Sequence, residues 1–480
     1  MLLAQLFEGV NCIIKGSDVD IKNVQKNSSD KVTSGLFFCY QGINSNGEDF
    51  VGEAINNGAV AIVVEEYLPF NLTQIKVDNV RKIIAKVCSN FFGSPDKKLK
   101  IIGVTGTNGK TTTTYILKNI LKTAGKKVGL IGTNNVEIGE VFYKATLTTP
   151  DPQELFDIFS KMVKAQIEYV VMEVSAHALD LYKVWGVKFE VGAFTNLTRD
   201  HLDYFGNMQS YKKAKATFFN KTYCRNCVFN LDDDVGREFY NKCDCNKYSY
   251  ALINPSDLFA VDIEMSISGS KYVVNCLDEI MYIQTVLPGK FNIYNCMAAI
   301  LVARLLNIST DHIVAGLYTL ASVKGRFNLF EVEGKSVVID FAHTPDGIEN
   351  VLRTAKSLSK GSITTIFGCG GNRDKGKRQT MGQIASKYSD KVILTSDNPR
   401  FENAYQIIDQ IKQGANDAIV IENRREAIIT GITTSGKDSC ILILGKGAED
   451  YQEINGIKYP YSDYTVVEEY IKNKKLSSKE

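Results

Sequence analysis

One stretch, Gly103-Val-Thr-Gly-Thr-Asn-Gly-Lys-Thr-Thr-Thr-Thr114, constrains this chain more than any other. The apolar run from Leu99 to Val104 predicts a short buried strand. Ile116, Leu117, Ile120 and Leu121 then repeat at helical spacing and stop at Gly125, a favourable residue just beyond a helix end. Strand, glycine loop and helix in this order can hold a polyphosphate. Backbone N–H groups of the loop and helix N-terminus point at the anion, Lys110 adds a mobile positive charge, and the Thr111 hydroxyl can reach a bridging Mg²⁺. Gly106 and Gly109 leave room for that approach. Position 104 is Val where the common loop has glycine, so the loop is a variant of the usual pattern. The bland alternative is a glycine turn with a solvated lysine.

The pattern around this loop predicts an α/β protein of three domains. Residues 1–97 read as a small α/β binding domain. It has strands at Gly35–Gly42 and Ala59–Glu65, a helical piece at Glu53–Asn57, and a polar loop at Asn44, Ser45 and Asn46 that could equally be an ordinary turn. Residues 98–323 alternate strand and helix, as a P-loop ATPase-like domain with a mainly parallel sheet does. Residues 324–480 form a second βαβ series, Rossmann-like, with a polar tail from Lys472 to Glu480.

Chemistry-bearing residues fall just after apolar strands, the edge of an open α/β sheet where ligands sit. Tyr169–Ser175 ends in Glu173, a candidate metal contact opposite Thr111. Val191–Asn196 runs into Asp200, His201 and Asp203. His177, His201 and His343 all follow apolar strands, with a structural role as the alternative, whereas His312 lies in a helical stretch without polar company. In the C-terminal segment the loops Phe341–Pro345, Gly368–Arg378, Ser396–Arg400 and Gly445–Glu449 each follow a strand. Their shared edge places Arg373, Arg400 and Glu449 where they could grip a ligand carrying carboxylates and an ammonium group. Lys215 lies in a helical stretch with Lys212 and Lys213, and spacing alone does not distinguish it.

A net charge of +2 gives no general attraction to nucleic acid. The opening Met1–Glu8 has no basic or long apolar run, and nowhere do enough apolar residues run together to span a membrane, so a cytoplasmic location is expected. The 11 cysteines are scattered, often within apolar strands, as reduced buried thiols would be. Cys224-x2-Cys227 with Cys243-x-Cys245 approaches a zinc spacing. The second pair is a poor tetrahedral clip and Val228–Leu231 reads as core strand, so free thiols are favoured there.

Gly106–Thr112, Met172-Glu-Val-Ser175, Thr195–Asp203, Ala214-Lys215, Asn292-Ile-Tyr-Asn295 and Asp340–Pro345 together resemble the Mur ligases, ATP-dependent amino-acid ligases of peptidoglycan synthesis. The resemblance spans essentially the whole chain. The variant phosphate loop is shared with folylpolyglutamate synthases, so it does not choose between them. Asp397-Asn-Pro-Arg400 with Gly445-Lys-Gly and Glu449 is similar to the branch that adds meso-diaminopimelate.

The resemblance implies that ATP phosphorylates the free D-glutamate side-chain carboxylate of UDP-N-acetylmuramoyl-L-Ala-D-Glu, and that the diaminopimelate amine then attacks the acyl phosphate. It implies catalytic roles for Lys110, Glu173, His201 and Lys215. ATP contacts are implied at Gly106, Thr107, Asn108, Gly109, Lys110, Thr111, Thr112, Asn292, Arg326 and Asp340. Thr111 and Glu173 would hold one Mg²⁺, His201 and Lys215 a second. A lysine ammonium has no lone pair, so Lys215 would act as a CO₂-derived carbamate.

For the UDP-substrate the matching positions are Ser29, Ile43, Asn44, Ser45, Thr148, Thr149, Ser175 and Lys183. For diaminopimelate they are Arg373, Asp397, Asn398, Pro399, Arg400, Gly445 and Glu449, with Arg400 on the distal carboxylate that lysine lacks. A monomer acting on small molecules is expected. Departures from the family pattern fall at Ser28–Asp30, Ala176, Leu181, Lys183 and Ala448, and concern uridine-side contacts and substrate affinity more than the chemistry. The alternatives are a lysine-adding ligase, a folylpolyglutamate-synthase-like ligase and, more distantly, an ATP-binding regulatory module.

Overall fold

The computed structural model describes residues 1–42 and 45–477, so Ile43 and Asn44 lie outside the described residues. Three principal sheets follow one another along the chain. The first orders its strands Ile13–Lys15, Thr73–Lys76, Ala59–Val64, Gly35–Phe38 and Asn23–Val24, with every pair parallel except the first. The helix Val80–Phe91, an element beyond the expected ones, shares one core with Leu36, Ala61, Val63 and Ile75 of this sheet. Its buried Val80, Ile84, Ala85, Val87 and Cys88 carry the helical period that could have revealed it.

The second sheet has eleven strands. Its parallel centre runs Asn246–Ala251, Cys224–Asn230, Phe189–Phe194, Lys100–Thr105, Tyr169–Glu173 and Val128–Ile131. The alternation of strand and helix predicted this part. It did not predict the antiparallel flanks. A hairpin of Asn135–Ile138 and Val141–Lys144 extends one side, and the meander Leu258–Ser266, Gly269–Cys276 and Glu279–Thr285 extends the other. Turn residues with positive φ, Gly139, Gly269, Leu277 and Asp278, make these tight reversals.

The third sheet orders Asn328–Val332, Lys335–Asp340, Cys440–Leu444, Ile363–Phe367, Lys391–Leu394 and Ile419–Val420, all parallel after the first pair. Both faces are covered by helices, so the central strands are buried along their length: Cys440–Leu444 is apolar, and the two threonines of Ile363–Phe367 pair their hydroxyls with Ser435 and Ser389. No helix among the described residues is long and apolar enough to cross a membrane. His312 does have polar company: its ring nitrogen lies 2.7 Å from the Ser309 hydroxyl at the start of its helix.

Candidate active site

The ends of the second and third sheets face a single cavity of about 840 Å³. One wall is the phosphate loop between the strand Lys100–Thr105 and the helix Lys110–Thr123. Gly106 and Gly109 have φ of +150° and +87°, and the Cβ of any other residue would lie 1.9 Å from the Thr195 hydroxyl or 2.2 Å from the Asn295 side-chain oxygen. Glycine is therefore required at both positions by conformation and by space. Lys110 folds back over the loop and donates to the carbonyls of Gly106 and Thr107 at 2.9 and 2.8 Å. Burial lowers its affinity for the proton, while Glu173 and Asp200 oppose that shift.

Glu173 ends its strand with 1% of its surface exposed. One carboxylate oxygen accepts from the Thr111 hydroxyl and the Thr133 N–H, both at 2.9 Å, and the other accepts from the Thr133 hydroxyl at 3.0 Å. Arg326 donates to the same Thr111 oxygen at 2.9 Å. A hydroxyl and a carboxylate brought this close are hard oxygen donors of the kind Mg²⁺ takes, so the donor set fits that ion.

Lys215 is 1% exposed, and its ammonium donates to the Gly106 carbonyl at 2.9 Å. Among the described residues no carboxylate lies within ion-pairing distance of it. Burial, reinforced by the charge of Lys110 and opposed by that of Asp200, pushes its pKa well below the ordinary lysine value. A neutral amine is the form that combines with CO₂, so the environment suits a carbamate. His201 lines the same cavity, with φ +55° at the start of a short helix and its ring against His177 at 4.8 Å. Desolvation drives its pKa down to about 3, leaving a neutral ring able to ligate a metal. The buried Asp200, 3.4 Å from His201 and 3.6 Å from Lys377, stands behind it.

The far wall comes from the loops of the third sheet. Asp340 is locked by the backbone N–H groups of Phe327 and Ala342, each at 2.7 Å. Asn398 donates to Glu449 at 2.9 Å, and the fully buried Lys446 donates to both Asn398 and Glu449. Arg400 donates to the Gly371 carbonyl at 2.9 Å and pairs with Glu453 at 3.2 Å. Asp397 accepts from the Asn398 N–H at 2.7 Å and lies 4.0 Å from Arg424, which Asp463 holds from behind in a buried bidentate pair. At Gly445, φ +107°, a Cβ would stand 2.9 Å from Asp397. Arg373 is about half exposed, 3.9 Å from Asp203.

Thr107, Asn108, Thr112, Thr148, Thr149, Ser175 and Lys183 also line the cavity. Thr149 accepts from the Ser175 N–H and donates to the Glu173 carbonyl. Lys183 is already paired with Asp151 at 2.7 Å.

Several expected residues lie elsewhere. Asn292 is buried beneath the wall, donating to the Pro288 carbonyl, and its neighbour Asn295 lines the cavity instead. Gly106 and Pro399 shape loops without lining the space, while Ser29 and Ser45 are exposed on the first domain, of which no described residue reaches the cavity. Thr133, Asn295, Asp346 and Lys377 line the cavity and were not singled out in the sequence. Asp346 follows Pro345 in a quoted motif and accepts from Asn108 at 2.8 Å, so its proximity to that motif was a usable signal.

A phosphate loop facing an amphoteric pocket across one cavity defines an ATP-dependent ligase-type site, and the chain belongs to the Mur ligase family. Residues 104–303 match the Mur ligase middle domain and residues 325–447 the Mur ligase, glutamate ligase domain. The chain is 40% identical over 463 residues to UDP-N-acetylmuramoyl-L-alanyl-D-glutamate–2,6-diaminopimelate ligase 1 of Clostridium acetobutylicum, covering 95% of each. It is 41% identical to the ligase of the same name from Caldanaerobacter subterraneus subsp. tengcongensis, covering 98% of this chain and 99% of that one. A solved structure of a UDP-N-acetylmuramoyl-L-alanyl-D-glutamate–2,6-diaminopimelate ligase superposes with a TM-score of 0.69 at 29% identity, over 95% of each chain.

Proposed function

We propose that this chain is an ATP-dependent ligase that joins meso-2,6-diaminopimelate to UDP-N-acetylmuramoyl-L-alanyl-D-glutamate in peptidoglycan synthesis. The observation that carries the reading is the single cavity in which Lys110, Thr111 and Glu173 face Asn398, Arg400 and Glu449. The acceptor carboxylate attacks the γ-phosphorus of ATP, ADP leaves, and an acyl phosphate forms. The amine of the amino acid adds to the acyl carbon, loses a proton, and expels phosphate as the amide bond closes.

Lys110 and the loop N–H groups bind the phosphates and offset charge on the transferred group. Thr111 with Glu173, and His201 with carbamylated Lys215, are the residues that would hold Mg²⁺, whose chemistry is to neutralise the phosphoryl oxygens. Asn295, Arg326 and Asp340 border the nucleotide side. Thr148, Thr149, Ser175 and Lys183 face the acceptor, and the first domain, with Ser29 and Ser45, would carry the uridine end.

On the amino-acid side, Arg400 answers the distal carboxylate and Glu449 the ammonium group, with Arg373, Asp397 and Asn398 around them. Arg400 is already steadied by Glu453, and a ligand without the distal carboxylate would forgo a further charge-assisted contact with its guanidinium, which supports diaminopimelate over lysine. The test is phosphate release with ATP, Mg²⁺ and UDP-N-acetylmuramoyl-L-Ala-D-Glu, supplying meso-diaminopimelate, L-lysine or no amino acid. Release with diaminopimelate alone is expected. Release with lysine would overturn the role of Arg400, and release without any amino acid would overturn the ligase reading.

A further inference from the structure

Away from the cavity, the far side of the second sheet gathers four cysteines. Cys224 and Cys227 lie on the strand Cys224–Asn230, Cys243 caps the end of the helix Asp234–Lys242, and Cys245 precedes the strand Asn246–Ala251. The sulfur atoms of Cys227, Cys243 and Cys245 all lie within 4.8 Å of one another. Cys224 stands on the same strand as Cys227, outside that group of three, with its thiol on the Phe218 carbonyl. Three separate segments thus bring their thiols to one point, beside Phe218 and the helix end, with Cys227 wholly buried.

The geometry points to a structural zinc site formed by Cys227, Cys243 and Cys245, with Cys224 as the fourth ligand. Zinc bound to thiolates at about 2.3 Å sets tetrahedral sulfurs about 3.8 Å apart, so the observed cluster needs only a small contraction. The objection to a Cys-x-Cys pair also weakens. The backbone at Cys243 is extended, and in extended chain residues i and i+2 project to the same side.

Cys224 donates to the Phe218 carbonyl at 3.3 Å, and Cys245 approaches the Cys224 carbonyl at 3.4 Å and the Asp244 carboxylate at 3.8 Å. For Cys224 to join as the fourth ligand its side chain must give up the first of these contacts. Each ligating thiol releases its proton to solvent as its bond to zinc forms, with no change in oxidation state.

Thiols that serve only as small apolar groups are dispersed through cores, as Cys39, Cys88, Cys296 and Cys440 are here. Cys227, Cys243 and Cys245 are instead clustered, with Cys224 on the strand that carries Cys227, and none of the four lines the cavity. The metal would pin the end of the helix Asp234–Lys242 between two neighbouring strands, serving the fold and leaving the chemistry alone.

The test is metal analysis of the full chain purified from zinc-supplemented cells, alongside a Cys243→Ser/Cys245→Ser variant and a Cys245→Ser single variant at the more exposed position. About one zinc per chain is expected in the parent protein, falling about tenfold or more in the double variant. Cobalt substitution of the parent should give near-ultraviolet sulfur-to-metal charge-transfer bands that the double variant lacks. Ligation at a permissive temperature should stay within about twofold while thermal stability falls. If the double variant fails to fold, the single variant carries the same comparison, with weaker metal retention and altered cobalt bands. Parent protein without zinc or cobalt bands, equal zinc in parent and variants, or an intact mass two hydrogens lower from a disulfide would each overturn the proposal.

Discussion

The two ends of the cavity are built on opposite plans. At the nucleotide end one continuous loop, Gly106 to Lys110, presents backbone groups and the Lys110 ammonium, and the two glycines keep the approach open by lacking side chains. At the amino-acid end three loops, carrying Arg373, Asp397–Arg400 and Glu449, present side chains that other side chains hold in place. Arg400 is steadied by Glu453, Asn398 by Lys446 and Glu449, and Asp397 borders Arg424, itself fixed by Asp463. A backbone site is specified locally and binds what every nucleotide shares. A side-chain site is specified by the whole fold and can tell one amino acid from another.

The largest expected effect lies between the two ends. Lys215→Ala should lower kcat by about a thousandfold, and short carboxylic acids should restore part of it by supplying the missing oxygens. Full activity without additive would remove the carbamate from the reading. At the nucleotide end, Gly109→Ala should weaken ATP binding by about a hundredfold in calorimetry, because its Cβ would collide with Asn295 at a backbone angle unfavourable to alanine. An unchanged Kd would mean that the loop does not hold the phosphates through its backbone.

Arg400→Lys should raise the KM for diaminopimelate by about a hundredfold and leave the Kd for ATP alone. Movement of both constants together would erase the division between the ends.

The smallest effect concerns support behind the amino-acid loops. The bidentate hydrogen bonds of Arg378 hold the Glu402 carboxyl down to about 2 from an ordinary 4.5. A depressed carboxyl contributes stability that is fully present above its unfolded value and is lost as pH falls through the folded one. The contribution should therefore fade between about 4.5 and 2. Glu402→Gln should lower Tm at neutral pH by about 2–4 °C and flatten that acid limb in thermal melts. A variant with the parent's pH profile would contradict the pairing.

What could be read in the sequence follows the same division. The strand–loop–helix unit at Lys110 was legible because its signals are contiguous, and so were Glu173 and the loaded loops of the third sheet, since strand ends mark the ligand edge. Lys215 was invisible to spacing: its meaning lies in being buried without a carboxylate, a tertiary fact that only family resemblance anticipated. Thr133 is not marked in the sequence and Lys446 stands there only inside its Gly-Lys-Gly motif without a role, because a threonine after a strand or a lysine between glycines becomes informative only once Glu173 or Asn398 is beside it. The antiparallel flanks of the second sheet were missed because an alternating βα pattern dominates that segment, and short hairpins weigh little against it. Asn292 and Asn295 share one helix face, and only the packing of that helix decides which of them reaches the cavity.

Arg326 belongs to the third sheet's side of the molecule, yet its guanidinium ends on Thr111 of the phosphate loop. Such a contact exists only while the two sides meet, and it is therefore a coupling free energy as well as a hydrogen bond. Whatever strengthens the hold on nucleotide through this arginine must, by reciprocity, favour the meeting of the two sides to the same extent. Nucleotide affinity in this chain is thus tied to that contact, and a substitution at Arg326 should loosen both together.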